Sequence, residues 1–116
     1  MQNKHWVYIN IALAVVNAIL GIINAKWFLI VAAVFLSLVA IIGAIKYLSH
    51  DSYEHLRSFS WYSIIAGLSI LSLAWSSFYG LPQLGFVQII IGIAMTLVGC
   101  YTLYNAVKVG KVAIIP

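Results

Sequence analysis

Residues 27–45 read WFLIVAAVFLSLVAIIGAI: nineteen positions with one hydroxyl, Ser37, and no charge. A bilayer core about 30 Å thick is crossed by about 20 helical residues. Lipid offers the main chain no hydrogen bonds, so a run of this length and character crosses as a helix that satisfies its own backbone. The stretch continues past Lys46, which can snorkel from a helix end, to Leu48, which predicts a span over Trp27–Leu48. Three more runs of the same kind flank it: Trp6–Ala25, Trp61–Gly80 and Phe86–Val107.

The composition agrees, with 65% hydrophobic and 7% charged residues, well outside the soluble range. The chain is expected to be an all-α, polytopic membrane protein with four transmembrane helices as two antiparallel hairpins, one domain over residues 1–116. Two connections are short. Asn24-Ala25-Lys26 joins the first pair, with Asn24 able to take a left-handed cap conformation. Leu81-Pro82-Gln83-Leu84-Gly85 joins the second, broken by Pro and Gly. Between the hairpins, Ser49–Ser60 is expected to be a loop. The first run is longer than a signal-peptide core, and Ile23 before Ala25 makes a poor cleavage site, so it is expected to be a true span.

With four spans, the N-tail, the second loop and the C-tail share one side, which carries Lys4, Lys46, Arg57, Lys108 and Lys111; Lys26 stands alone on the other. The positive-inside rule then expects both termini in the cytoplasm, at a cell membrane. The formal net charge of +4 is mostly this collar, suited to anionic headgroups. Its cations are scattered singly, so no nucleic-acid partner is expected. Trp6, Trp27 and Trp61 open spans, and Tyr47, Tyr62, Tyr79 and Tyr104 sit near span ends, as interfacial rings do. Trp75 is deeper and is expected to face a neighbouring helix. The single cysteine, Cys100, is expected to be buried as a small hydrophobe.

The most specific pattern is the spacing Asn3, Asn10, Asn17, Asn24. Seven residues return a helix to within about 20° of the same face. Ala14 and Gly21 fall between, so Asn10-Ala14-Asn17-Gly21-Asn24 forms one face, a helix-packing surface or the lining of a polar path. With a rise of about 1.5 Å per residue, Asn17 lies roughly 2 Å from the centre of its span and Asn10 roughly 8 Å. Interhelical bonds from such groups average about 0.6 kcal/mol with a maximum near 1.7, so the pair would contribute about 1–3 kcal/mol. A second packing face is Gln88-Gly92-Thr96-Gly99. Ala33-Ser37-Ala40-Ala44 and Ser63-Gly67-Ala74-Ser77 are further small-residue faces, and Ser69-Ser72-Ser76 another. Together they exceed one contact seam, which points to contacts with other subunits.

The second loop holds His50, Asp51, Glu54 and His55. His50, Glu54 and His55 are weak metal candidates, with His5 on the same side, but their spacing fits no zinc pattern. No metal and no cofactor are expected. Length and four spans invite comparison with the small multidrug-resistance transporters. That family needs a glutamate inside its first helix, and this chain has Asn17 where a titratable group would serve. The comparison fails.

Without a catalytic constellation, the chain is not expected to be an enzyme. The leading expectation is a non-catalytic membrane subunit within a larger complex, an accessory subunit of a membrane oxidoreductase or transport assembly. Its partners would be the lipid bilayer and other integral membrane subunits, a hetero-oligomer before a homo-oligomer. The alternatives are a homo-oligomeric channel or facilitator for a small neutral solute lined by Asn10 and Asn17, and an immunity-type membrane protein.

Overall fold

The computed structural model describes residues 3–23, 27–50, 52–80 and 82–115. Over these the chain forms four helices: α1 (Asn3–Ile23), α2 (Trp27–Ser49), α3 (Tyr53–Gly80) and α4 (Pro82–Lys108). Each is long and apolar enough to cross a membrane. Helix α1 packs on α2 and α3 on α4 as two hairpins, and α2–α3 and α1–α4 contacts close the bundle. The molecule measures 44 × 24 × 21 Å, about the thickness of a bilayer with its headgroup regions, ~40–45 Å. The Asn24-Ala25-Lys26 turn, Asp51 and Leu81 lie outside the described residues.

The starts of three helices differ from the sequence expectation, beginning with α1, which opens at Asn3 rather than Trp6. Tyr53–Ser60 is not loop: α3 begins two turns before Trp61. Ser52 is its cap. The Ser52 hydroxyl accepts from the His55 N–H at 3.3 Å, and the Ser52 carbonyl accepts from the Leu56 N–H at 3.0 Å. Glu54 in the first turn favours the positive end of the helix dipole. Leu56, Phe59, Ser60 and Ser63 then follow at helical spacing and are all buried. At the third connection α4 already starts at Pro82, a position where the missing N–H of proline costs nothing.

Two hydrophobic clusters fill the bundle. At the end that carries both termini, Val7, Ala44, Tyr47, Leu56, Phe59, Val98 and Ala106 pack together, flanked by Trp6 and Val112. In the middle, Ala14, Ala40, Ala66, Ile70, Ile91 and Met95 form the second cluster. Trp6 lies against Tyr101 with ring centroids 5.2 Å apart, joining α1 to α4.

The seam between α3 and α4 is close because glycines line it. A Cβ on Gly67 would meet the Thr96 side chain and lie 2.8 Å from the Gly92 carbonyl oxygen; one on Gly99 would lie 2.8 Å from the Ser60 carbonyl oxygen. The face Gln88-Gly92-Thr96-Gly99 thus lies against α3. Ala33, Ser37, Ala40 and Ala44 of α2 are also buried, as are Ser63, Gly67 and Ala74 of α3; Ser76 and Ser77 lie outside the described side chains. Most of these residues, read from the sequence as a surplus for other subunits, are taken up within the chain itself; the Ser69-Ser72-Ser76 face is not, since Ser69 is half-buried and Ser72 exposed.

Two further expectations are corrected. Trp75 is 65% exposed, so most of its ring lies on the outside of the bundle. Cys100 is exposed as well. Both sit on helices that are apolar on every side, so hydrophobicity does not distinguish their inner from their outer faces.

After α4 the chain turns back. Lys111 takes a left-handed conformation with φ of 55°, and the Val112 N–H donates to the Ala106 carbonyl at 3.4 Å. Arg57 Nη1 then donates to the Ala113 carbonyl at 3.1 Å, and the Trp61 indole donates to the Ile114 carbonyl at 2.8 Å. These two donors lie four residues apart on one face of α3, so the tail runs along that helix.

Candidate functional site

The interior of the bundle is where polar chemistry collects. Its buried polar residues are Asn10, Asn17, Ser37, Ser60, Ser63, Gln88 and Thr102. All are neutral amides or hydroxyls. Among the described residues, the Lys, Arg, His and Glu side chains instead cluster at the end that carries both termini: Lys4 and His5, Lys46 and His50, Glu54, His55 and Arg57, and Lys108 and Lys111.

On α1 the sequence face lies inside: Asn10, Ala14, Asn17 and Gly21 are all buried. Asn24 lies outside the described residues. Asn17 Nδ2 donates to Ser37 Oγ at 3.1 Å and reaches the Ala33 carbonyl at 3.5 Å. Ser37 in turn donates to the Ala33 carbonyl at 2.8 Å. A serine has one proton, so Ser37 can only accept from Asn17. That fixes the orientation of the amide, and it leaves Asn17 Oδ1 buried without a partner.

One helical level nearer the termini, Ser63 Oγ lies 3.0 Å from Asn10 Oδ1 and 2.7 Å from the Met95 carbonyl. Its single proton cannot serve both acceptors fully. Turning the Asn10 amide would let it donate to Ser63 while Ser63 donates to Met95. In either orientation one polar atom of Asn10 is unpaired; as placed it is Nδ2. On α4, Gln88 Oε1 is buried and unpaired too. Closer to the termini, Ser60 and Thr102 share a 2.6 Å hydrogen bond across α3 and α4, and each hydroxyl also reaches main-chain carbonyls of its own helix.

The second packing face divides by role. Gly92 and Gly99 provide the close approach, Thr96 donates to the Gly92 carbonyl at 2.8 Å, and Gln88 contributes a buried amide that is 4% exposed. The sequence picked out Gln88 only as a member of a packing stripe. Its lack of a hydrogen-bond partner for Oε1 follows from how α4 packs in the bundle, which no local pattern announces.

The histidine loop is arranged differently from a metal centre. His50 and His55 stack with ring centroids 5.2 Å apart and planes inclined by 16°. A metal ligated by an imidazole nitrogen lies in the ring plane, about 2.0–2.1 Å away. Two nearly parallel, stacked rings cannot both satisfy that. His55 Nδ1 is also engaged at 2.6 Å by the Ser52 hydroxyl. Among the described residues no group of three or more His, Cys, Asp or Glu could hold a metal ion.

Amides and hydroxyls of this kind bind and orient by hydrogen bonds. They carry no charge that is gained or lost near neutral pH. Comparison of the chain with protein-family models, with curated proteins and with solved structures finds no match.

Proposed function

We propose that this four-helix membrane protein is a small, non-catalytic integral membrane subunit that packs within a larger membrane complex. The observation that carries the reading is the partition of its chemistry. The interior polar groups are neutral, and several serve helix-to-helix hydrogen bonds, such as Asn17 to Ser37 and Ser60 to Thr102. The outward faces are apolar and carry large side chains: Phe35, Trp75 and Phe86 are each at least 60% exposed. Such faces suit lipid tails and the helices of other subunits alike. The basic collar supports a topology with both termini in the cytoplasm.

The facilitator reading is supported by the same amides. Asn10 and Asn17 are buried within one chain, so a path lined by them would run through the bundle and not between copies. The close α3–α4 seam and the Ser37 bond favour packing over passage.

Extraction in a mild detergent, followed by native mass and identification of co-migrating chains, tests the proposal. Stoichiometric unrelated membrane subunits are expected. A clean monomer or homo-oligomer overturns the accessory reading. Flux in liposomes that is lost in Asn17→Leu while the fold survives would establish the facilitator instead.

A further inference from the structure

The tail after α4 meets one face of α3 at three points, in order. A Cβ on Gly110 would run into the Tyr53 ring. The Ala113 carbonyl accepts from Arg57, and the Ile114 carbonyl accepts from the Trp61 indole. Tyr53, Arg57 and Trp61 follow at four-residue spacing, so these contacts spread over about 12 Å of helix. Helix α3 starts at the end that carries the termini, so the tail runs back toward the membrane. The level it reaches is marked by the cluster at that end. Val7 of α1, Ala44 and Tyr47 of α2, and Val98 and Ala106 of α4 all belong to apolar runs that read as membrane spans. Leu56 and Phe59 pack among them, and Val112 of the tail packs against the same cluster. Yet Ile114 and Ile115, which follow, are 53% and 71% exposed. A tail in water would have its carbonyls served by solvent. Here two side chains of α3 serve them, as main chain leaving water requires.

We propose that residues 112–115 form an interfacial strap, with the Ile114 and Ile115 side chains seated among lipid acyl chains just beneath the headgroups. Lys108 and Lys111, both exposed, precede the strap at the membrane surface, where they can meet anionic phosphates. Cations above an apolar anchor are the pattern of segments that lie in the interface. Arg57 tolerates this level because its long side chain lets the guanidinium reach toward the headgroups. Lipid suits the two isoleucines because aliphatic surface at this depth gains by leaving water. The strap does not rest on the subunit reading.

The test is paramagnetic broadening of amide signals from the full chain in bicelles. One probe is a nitroxide high on the lipid chain, near the headgroup; the other is a soluble gadolinium chelate. Ile65, exposed one turn beyond Trp61, reports lipid contact, and His50, exposed ahead of α3, reports water. Ile114 and Ile115 are expected to follow Ile65 with both probes. Chelate broadening like that of His50 puts the tail in water and overturns the strap. Protection from both probes means that protein covers the isoleucines, which overturns lipid as the occupant. In the double variant Arg57→Leu, Trp61→Phe, lipid broadening at Ile114 and Ile115 is expected to be lost and chelate broadening gained, with Ile65 unchanged. Tail signals that keep the wild-type pattern in that variant overturn the part assigned to the two donors.

Discussion

Gly67→Ala is the most demanding probe of the bundle. A Cβ at residue 67 would lie 2.8 Å from both the Gly92 carbonyl oxygen and the Thr96 nitrogen, with the Thr96 hydroxyl nearer still. Two of these three atoms are main chain of α4 and cannot swing aside. Restoring ordinary contact requires the helices to separate by roughly 0.6 Å, and a gap of that size forfeits about a quarter to a half of each neighbouring dispersion contact. Overpacking of this kind costs about 1–3 kcal/mol, and rigid neighbours put Gly67 at the upper end. The better helix propensity of alanine returns about 1 kcal/mol. The net loss is about 2 kcal/mol, roughly thirtyfold in the unfolding constant. Gly43→Ala is the control. Its nearest neighbours are all side-chain atoms of Tyr62, the closest being Cδ2 at 2.5 Å, and Tyr62 is 36% exposed. Its ring can move outward, so strain of about 1 kcal/mol offsets the propensity gain and the net effect is near zero. Reversible unfolding in mixed micelles, followed by tryptophan fluorescence, measures both. Equal stabilities for the two variants, or a Gly67→Ala protein as stable as wild type, would refute a glycine-dependent seam.

Ser52→Ala removes the cap of α3 and is expected to cost about 1 kcal/mol, with faster amide hydrogen exchange confined to Tyr53–Leu56. Trp61→Phe deletes the donor to the Ile114 carbonyl; exchange should rise across residues 112–115 and remain unchanged in the middle of α3. Cys100→Ala, at an exposed position, is expected to change stability by less than about 0.5 kcal/mol in the same unfolding assay; a loss above about 2 kcal/mol would mean the helix faces inward there.

What could be read from the sequence follows from which residues carry contrast. Lipid and protein interior are both apolar, so the spans stand out against loops, while the faces of one span hardly differ. Only polar and small side chains mark the inside. The seven-residue spacing of Asn10 and Asn17, and most of the small residues singled out in the other spans, fall on surfaces that are buried in the fold, with Ser72 an exception. Where that contrast is missing, as at Trp75 and Cys100, orientation was illegible. The start of α3 was obscured for the opposite reason. Glu54, His55, Arg57 and Ser58 give Tyr53–Ser60 the polarity of a loop, although Leu56 and Phe59 keep helical spacing. The tail's attachment to Arg57 and Trp61 had no sequence signal, because its acceptors are main-chain carbonyls.

The hydrogen bonds of α1 also set a timetable for biosynthesis. Asn17 finds Ser37 twenty residues later in the chain, and Asn10 finds Ser63 fifty-three residues later. Ribosomes add about 5–20 residues per second, so the first helix waits about 1–4 s for one partner and about 3–10 s for the other. During that interval a helix with two unmatched amides is a poor resident of open lipid. It has reason to linger at the insertion machinery until its neighbours emerge.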